Sequence, residues 1–121
     1  MDFGSFASVH AKHHPGAKIW VGGDTLLVNG QRQPYVRNSR HEAARASRLL
    51  SAVCGFPVSV TGVVVLVRAE IKVKVPPEDV HVLGWLRLAK WLRHQPSTLD
   101  EATIASIFDA ARKSTTWQLP N

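Results

Sequence analysis

Short runs in which apolar and polar positions alternate, each stopped by turn residues, fill the first forty positions of the chain. The alternation predicts strands over residues 6–12, 17–21, 25–28 and about 32–36. Pro15-Gly16, Gly22-Gly23-Asp24 and Asn29-Gly30 separate them, and Asn-Gly is the strongest hairpin signal among the three. The spacing therefore predicts an antiparallel meander in which the first two strands pair as a hairpin. On the first strand, period-2 geometry puts His10, Lys12 and His14 on one face and Val9, Ala11 and His13 on the other.

The period then changes. A helix is expected over residues 40–53, capped by Asn38 or Ser39. Ala43, Ala46, Leu49, Leu50 and Val53 fall on one side of it, and Arg37, His41, Arg45 and Arg48 on the other. Glu42 projects between Leu49 and Val53, toward the apolar side, where a carboxylate is costly unless a cation or metal meets it; from the first turn its chain could instead reach the rim or cap the backbone near Asn38. Residues 58–67 form the most strand-like segment, and Val63 to Val67 is apolar on both faces, as a central strand requires. Residues 70–75 alternate as a half-exposed edge strand or an extended loop, Pro76-Pro77 breaks them, and 79–83 form a last short strand. Gly84 opens a second helix over 85–94 that buries Trp85, Leu88 and Leu92. Thr98 to Glu101 reads as a capping box for a third helix over 100–113, with Trp117 as a lid. The fold class is α/β: a mixed sheet with N-terminal β-hairpins and about three helices.

Length and charge narrow the partners. A chain of 121 residues with 45% hydrophobic and 20% charged residues makes one globular domain. Its formal charge of +6 and isoelectric point near 10.1 favour an anionic partner, nucleic acid ahead of an acidic membrane. The single cysteine, Cys54, rules out an internal disulfide and a cysteine-based zinc site, and its apolar setting reads as a buried thiol. The longest apolar run is too short to span a bilayer, and the N-terminus lacks a basic leader, so a cytoplasmic protein is expected.

Two chemistries compete. His10, His14 and Glu42 could ligate a divalent ion beside Lys12, although a hard ion prefers carboxylates to imidazoles. Alternatively Arg37, Arg40, Arg45 and Arg48, with Lys12, Lys18 and Arg32, form a phosphate-tracking surface for nucleic acid if they converge. A solvated basic face accounts for the same charges. No phosphate loop, dinucleotide fingerprint or nucleophile elbow is present.

Three runs carry a resemblance: Ala11-Lys12-His13-His14-Pro15-Gly16-Ala17-Lys18-Ile19-Trp20-Val21-Gly22-Gly23-Asp24, then Val28-Asn29-Gly30, then Tyr35-Val36-Arg37-Asn38-Ser39-Arg40-His41-Glu42-Ala43. In order, they resemble the nuclease-related domain (NERD) family, in its actinobacterial form. The likeness extends to Ser114-Thr115-Thr116-Trp117, which divides the chain into a lead-in of residues 1–8, a domain of 9–117 and a tail of 118–121. That family is similar to the PD-(D/E)XK nucleases, so the resemblance implies a restriction-endonuclease-like core, magnesium-dependent cleavage of DNA and a role in DNA processing. It implies catalytic roles for Lys12 and Glu42, and puts His10 at a metal-ligand position where the family carries an acid. The family's earlier helix, with its Glu, and its strand, with the first catalytic Asp, would precede the first residue here. The resemblance thus implies a truncated nuclease-like core with impaired catalysis. A DNA-binding or protein-interaction module is the rival expectation.

Overall fold

The computed structural model describes residues 5–94 together with Asp109. Seven strands and a long helix dominate them, in the order β1 (Ser5–His13), β2 (Lys18–Gly22), β3 (Thr25–Val28), β4 (Gln31–Gln33), α1 (Tyr35–Cys54), β5 (Ser59–Val67), β6 (Glu70–Val75) and β7 (Val80–Gly84). A 3-10 turn (Trp85–Arg87) and a short helix α2 (Leu88–Arg93) follow. The architecture is mixed α/β. Apart from Asp109, which is helical, the third helix expected over 100–113 and the Trp117 lid lie outside the described residues.

The strands form two sheets. One is three-stranded and all parallel, in the order β1-β5-β7; the other has the order β4-β3-β2-β6, with β2 and β6 parallel and the other pairs antiparallel. The meander expected at the start of the chain therefore holds only for β2, β3 and β4. β1 does not fold back on β2 but pairs with β5 along its whole length, from Ser5 opposite Ser59 to His13 opposite Val67. Pro15-Gly16 is the place where the chain leaves one sheet for the other. Arg68 and Ala69 make the same crossing between β5 and β6, and the two crossings are bonded together. The Gly16 amide donates to the Arg68 carbonyl at 2.9 Å, and the Glu70 amide to the Ala17 carbonyl at 2.9 Å. β1–β2 and β5–β6 are thus one bent parallel pair shared by both sheets.

The core follows from this arrangement. β5 lies between β1 and β7, and Val63, Val64, Val65 and Leu66 are buried on both faces. Val64 and Leu66 join Ile19, Val21, Leu26, Val28 and Val36 in one cluster that ties both sheets to the start of α1. α1 begins at Tyr35, behind Pro34, five residues earlier than its expected start, and neither Asn38 nor Ser39 caps it. Proline suits a helix entrance because the amide it lacks would have no intrahelical partner there. The helix ends at Gly55, whose φ of 78° closes the last turn on the Ser51 carbonyl.

Close approach fixes where α1 rests. A Cβ at Gly62 of β5 would collide with Ser39 Oγ and stand 2.8 Å from the Ser39 carbonyl oxygen, so the helix backbone packs directly on the strand. Trp85 does not pack as expected: it is 49% exposed and Leu86 78%. The 3-10 turn accounts for this, because its tighter winding places successive side chains differently from an α-helix.

Candidate functional site

Tyr35, Asn38, Ser39 and Glu42 stand at i, i+3, i+4 and i+7 on α1, which makes them one stripe of the helix. Across from the stripe lie His10 and Lys12 of β1. Their alternation makes residues 10, 12 and 14 half-buried while 9, 11 and 13 are exposed, as period-2 geometry requires. Together His10, Lys12, Tyr35, Asn38, Ser39, Glu42 and Val64 line a cleft of about 50 Å³. That is room for a few waters or one small anionic group.

Tyr35 organises the β1 side of the cleft. The Lys12 ammonium lies 4.8 Å from the centre of its ring, a cation–π contact. Its hydroxyl shares a 2.9 Å hydrogen bond with His14 Nε2, and the two rings stack with centroids 5.8 Å apart. His10 Nε2 shares a 3.0 Å hydrogen bond with Ser8 Oγ. Hence the whole row of His10, Lys12 and His14 is held by neighbours, two of its members through one phenol. Ser39 is 2% exposed, and its Oγ has no hydrogen-bond partner among the described residues. A buried orphan hydroxyl of this kind is uncommon in folded proteins.

Glu42 does not point into the core. It is exposed and sits at the rim of the cleft. This is the rim position that its place near the start of the helix allows; Val53, expected on the same side, is 44% exposed. The buried residues of α1 are Val36, Ser39, Ala43, Leu49 and Leu50, and at about 100° per residue Glu42 falls between Leu49 and Ser39, toward one edge of that arc.

The basic residues separate into three groups. Arg37 and Arg48 are exposed and Arg45 half-exposed on the side of α1 away from the sheets. Arg40 lies on the opposite flank and is engaged. Its Nη1 and Nη2 each donate to Asp24 at 2.8 Å, and its Nε donates to both oxygens of Asp79 at 2.7 and 2.8 Å. Those bonds hold the Arg40 pKa up and push the Asp24 carboxyl below its ordinary range. Arg40 therefore fastens α1 to the β2–β3 turn and to the approach to β7, instead of standing open for phosphate. Lys18 belongs to neither group, being exposed on the four-stranded sheet.

The residues present do not fit the magnesium ion that the resemblance implies. Among the described residues, His10 and Glu42 are the only imidazole or carboxylate donors lining the cleft, and no group of three or more His, Cys, Asp or Glu converges. Magnesium takes octahedral oxygen ligands, usually through one or two carboxylates plus water. Cys54, beside the Leu50–Val58 cluster, is half-buried, and burial pushes its thiol pKa up, which is the opposite of nucleophile activation. No helix among the described residues is long and apolar enough to cross a membrane.

Tyr35 and Asn38 were not legible as site residues because the helix was expected to begin after them. Taking Pro34 as the helix entrance would have put both on the Glu42 stripe. Compared with protein-family models, with curated proteins and with solved structures, the chain finds no match in any of the three.

Proposed function

We propose that this chain is a nuclease-related domain of a cytoplasmic DNA-processing protein that binds DNA phosphate without cutting it. One observation carries the reading. Lys12 and Glu42, thirty positions apart in sequence, border the same cleft, and His10 stands beside them. The cleft lies along the first two turns of α1, where the helix dipole is positive and no acid occupies the first turn. Lys12 would take a phosphate oxygen at the rim, and Arg37, Arg45 and Arg48 would follow the backbone outside it. Catalysis is a different matter, because His10 offers an imidazole where hydroxide generation on magnesium needs a carboxylate.

Purified protein is incubated with supercoiled plasmid and magnesium or manganese, and binding to a short duplex is followed by fluorescence anisotropy across a salt series. The expected result is no nicking, together with binding whose log–log salt slope falls by about 0.9 in Lys12→Ala. Nicking lost in both Lys12→Ala and Glu42→Gln would restore the nuclease reading. A protein-interaction module is the second reading, favoured by the exposed Val73, Trp85 and Leu86 around one groove. It gains if duplex binding is absent at low salt.

A further inference from the structure

The outer face of the four-stranded sheet has no part in the cleft. Directly opposed residues share a face, and the register lines up Arg32, Leu27, Trp20 and Lys72 in one row across β4, β3, β2 and β6. Their neighbours along the strands, Ile19, Val21, Leu26 and Val28, point the other way and are buried. The row therefore faces outward. It has a cation at each end, Arg32 and Lys72, both exposed, and an aromatic ring with an aliphatic residue between them.

Trp20 is placed for contact with a flat ligand. Its six-membered ring lies over Gly22, in the space a Cβ there would take, so the indole lies along the sheet instead of standing off it. The residue is half-buried, with its six-membered ring against Gly22 and part of its surface bordering a groove. A groove of about 500 Å³ runs beside it, lined by Lys18, Trp20, Leu27 and Lys72. Glu70 also borders that groove and stands opposite Lys18 in register, so the negative charge sits at one end and the Arg32–Lys72 row stays cationic.

We infer that this sheet face is a second nucleic-acid site, one that binds an unpaired strand by stacking a base on Trp20 between the charges of Arg32 and Lys72. A duplex hides its base faces, whereas an unpaired strand offers both a π-surface and phosphates. A platform of one aromatic flanked by cations suits every base about equally and reads no sequence. A purely acidic protein would use the cations and leave the indole unemployed.

The test uses the full chain with fluorescent oligo(dT) of about 15 nucleotides, a duplex of equal length, and poly-glutamate as a competitor. Trp20→Ala should weaken oligo(dT) binding by about five- to a hundredfold, and Trp20→Phe, which keeps a ring, should restore most of it. Lys72→Gln, an exposed change on an edge strand, should lower the log–log salt slope by about 0.7. Duplex binding should be unchanged in all three. The inference is overturned if Lys72→Gln leaves affinity and slope as they were. It is equally overturned if Trp20→Ala leaves oligo(dT) affinity unchanged while poly-glutamate at matched charge displaces oligo(dT), which favours an acidic partner. Loss of oligo(dT) binding in Lys12→Ala would put the strand in the cleft and overturn it too. Failure of duplex binding at the cleft, with oligo(dT) still held by Trp20, would refute only the proposed function.

Discussion

Gly62→Ala tests the contact that sets the width of the cleft. The added methyl would strike Ser39 Oγ and sit 2.8 Å from the Ser39 carbonyl oxygen and 3.1 Å from its carbonyl carbon, where ordinary contacts begin at 3.4 Å. A side chain could rotate away, but the carbonyl belongs to the helix backbone, so α1 itself must withdraw by roughly half an ångström. Overpacking a well-filled core costs about 1–3 kcal/mol. For a domain of this order that is roughly 5–20 °C in the unfolding midpoint. Thermal and urea unfolding followed by circular dichroism read the change directly. Because Asn38, Ser39 and Glu42 ride on the same helix turns, Gly62→Ala should also shift duplex affinity, whereas a cavity-forming change far from α1 should not. A companion variant separates the hydroxyl from the backbone. Ser39→Ala removes a buried group with no partner, so it should be neutral or stabilising, an unsatisfied group costing about 1–3 kcal/mol. The double variant should recover only part of the Gly62→Ala loss, since the carbonyl contact remains. A Gly62→Ala midpoint within about 1 °C of the parent, a fraction of a kcal/mol on the same scale, would refute the account of how α1 is seated.

Two further outcomes are expected. Asp24 is held below the ordinary carboxylate range chiefly by its hydrogen bonds from Arg40, so its contribution to stability is complete above about pH 4 and is lost as pH falls through its lowered pKa. Acid unfolding should therefore start at higher pH in Arg40→Gln, and Asp24→Asn should flatten the same limb of the stability profile. The Cys54 thiol, pushed up by burial, should react with an aromatic disulfide reagent near pH 8 several-fold more slowly in the folded protein than in urea, and stopped-flow absorbance measures the ratio.

Local patterns revealed what local physics decides. Thr25–Val28 was bounded correctly from alternation, and Asn29 and Gly30, with φ of 49° and 83°, make the turn that Asn-Gly predicts. The unbroken apolar run of β5 correctly marked a strand with neighbours on both sides. Partner choice was not written locally. Pro15-Gly16 has the residues of a hairpin turn, yet the strand before it belongs to Val63 to Val67, far along the chain, because burying β1 beside an apolar central strand outweighs a short loop. The site was legible in part for the same reason. His10 and Lys12 followed from period 2 on one strand, while Tyr35 and Asn38 stayed hidden because the pattern places the helix start at residue 40 and not directly behind Pro34.

The bent parallel pair has a kinetic consequence. Every strand pairing that completes β1 and the inner edge of β2 awaits residues more than fifty positions downstream, from Ser59 to Val75. Such a topology has high contact order, so loop closure must be met before those contacts stabilise anything, and folding is expected to be slow for the chain's size. During synthesis the β2-β3-β4 meander and α1 can form early, but β1 leaves the ribosome as an unpaired edge. It keeps open amide and carbonyl groups until β5 arrives to close them.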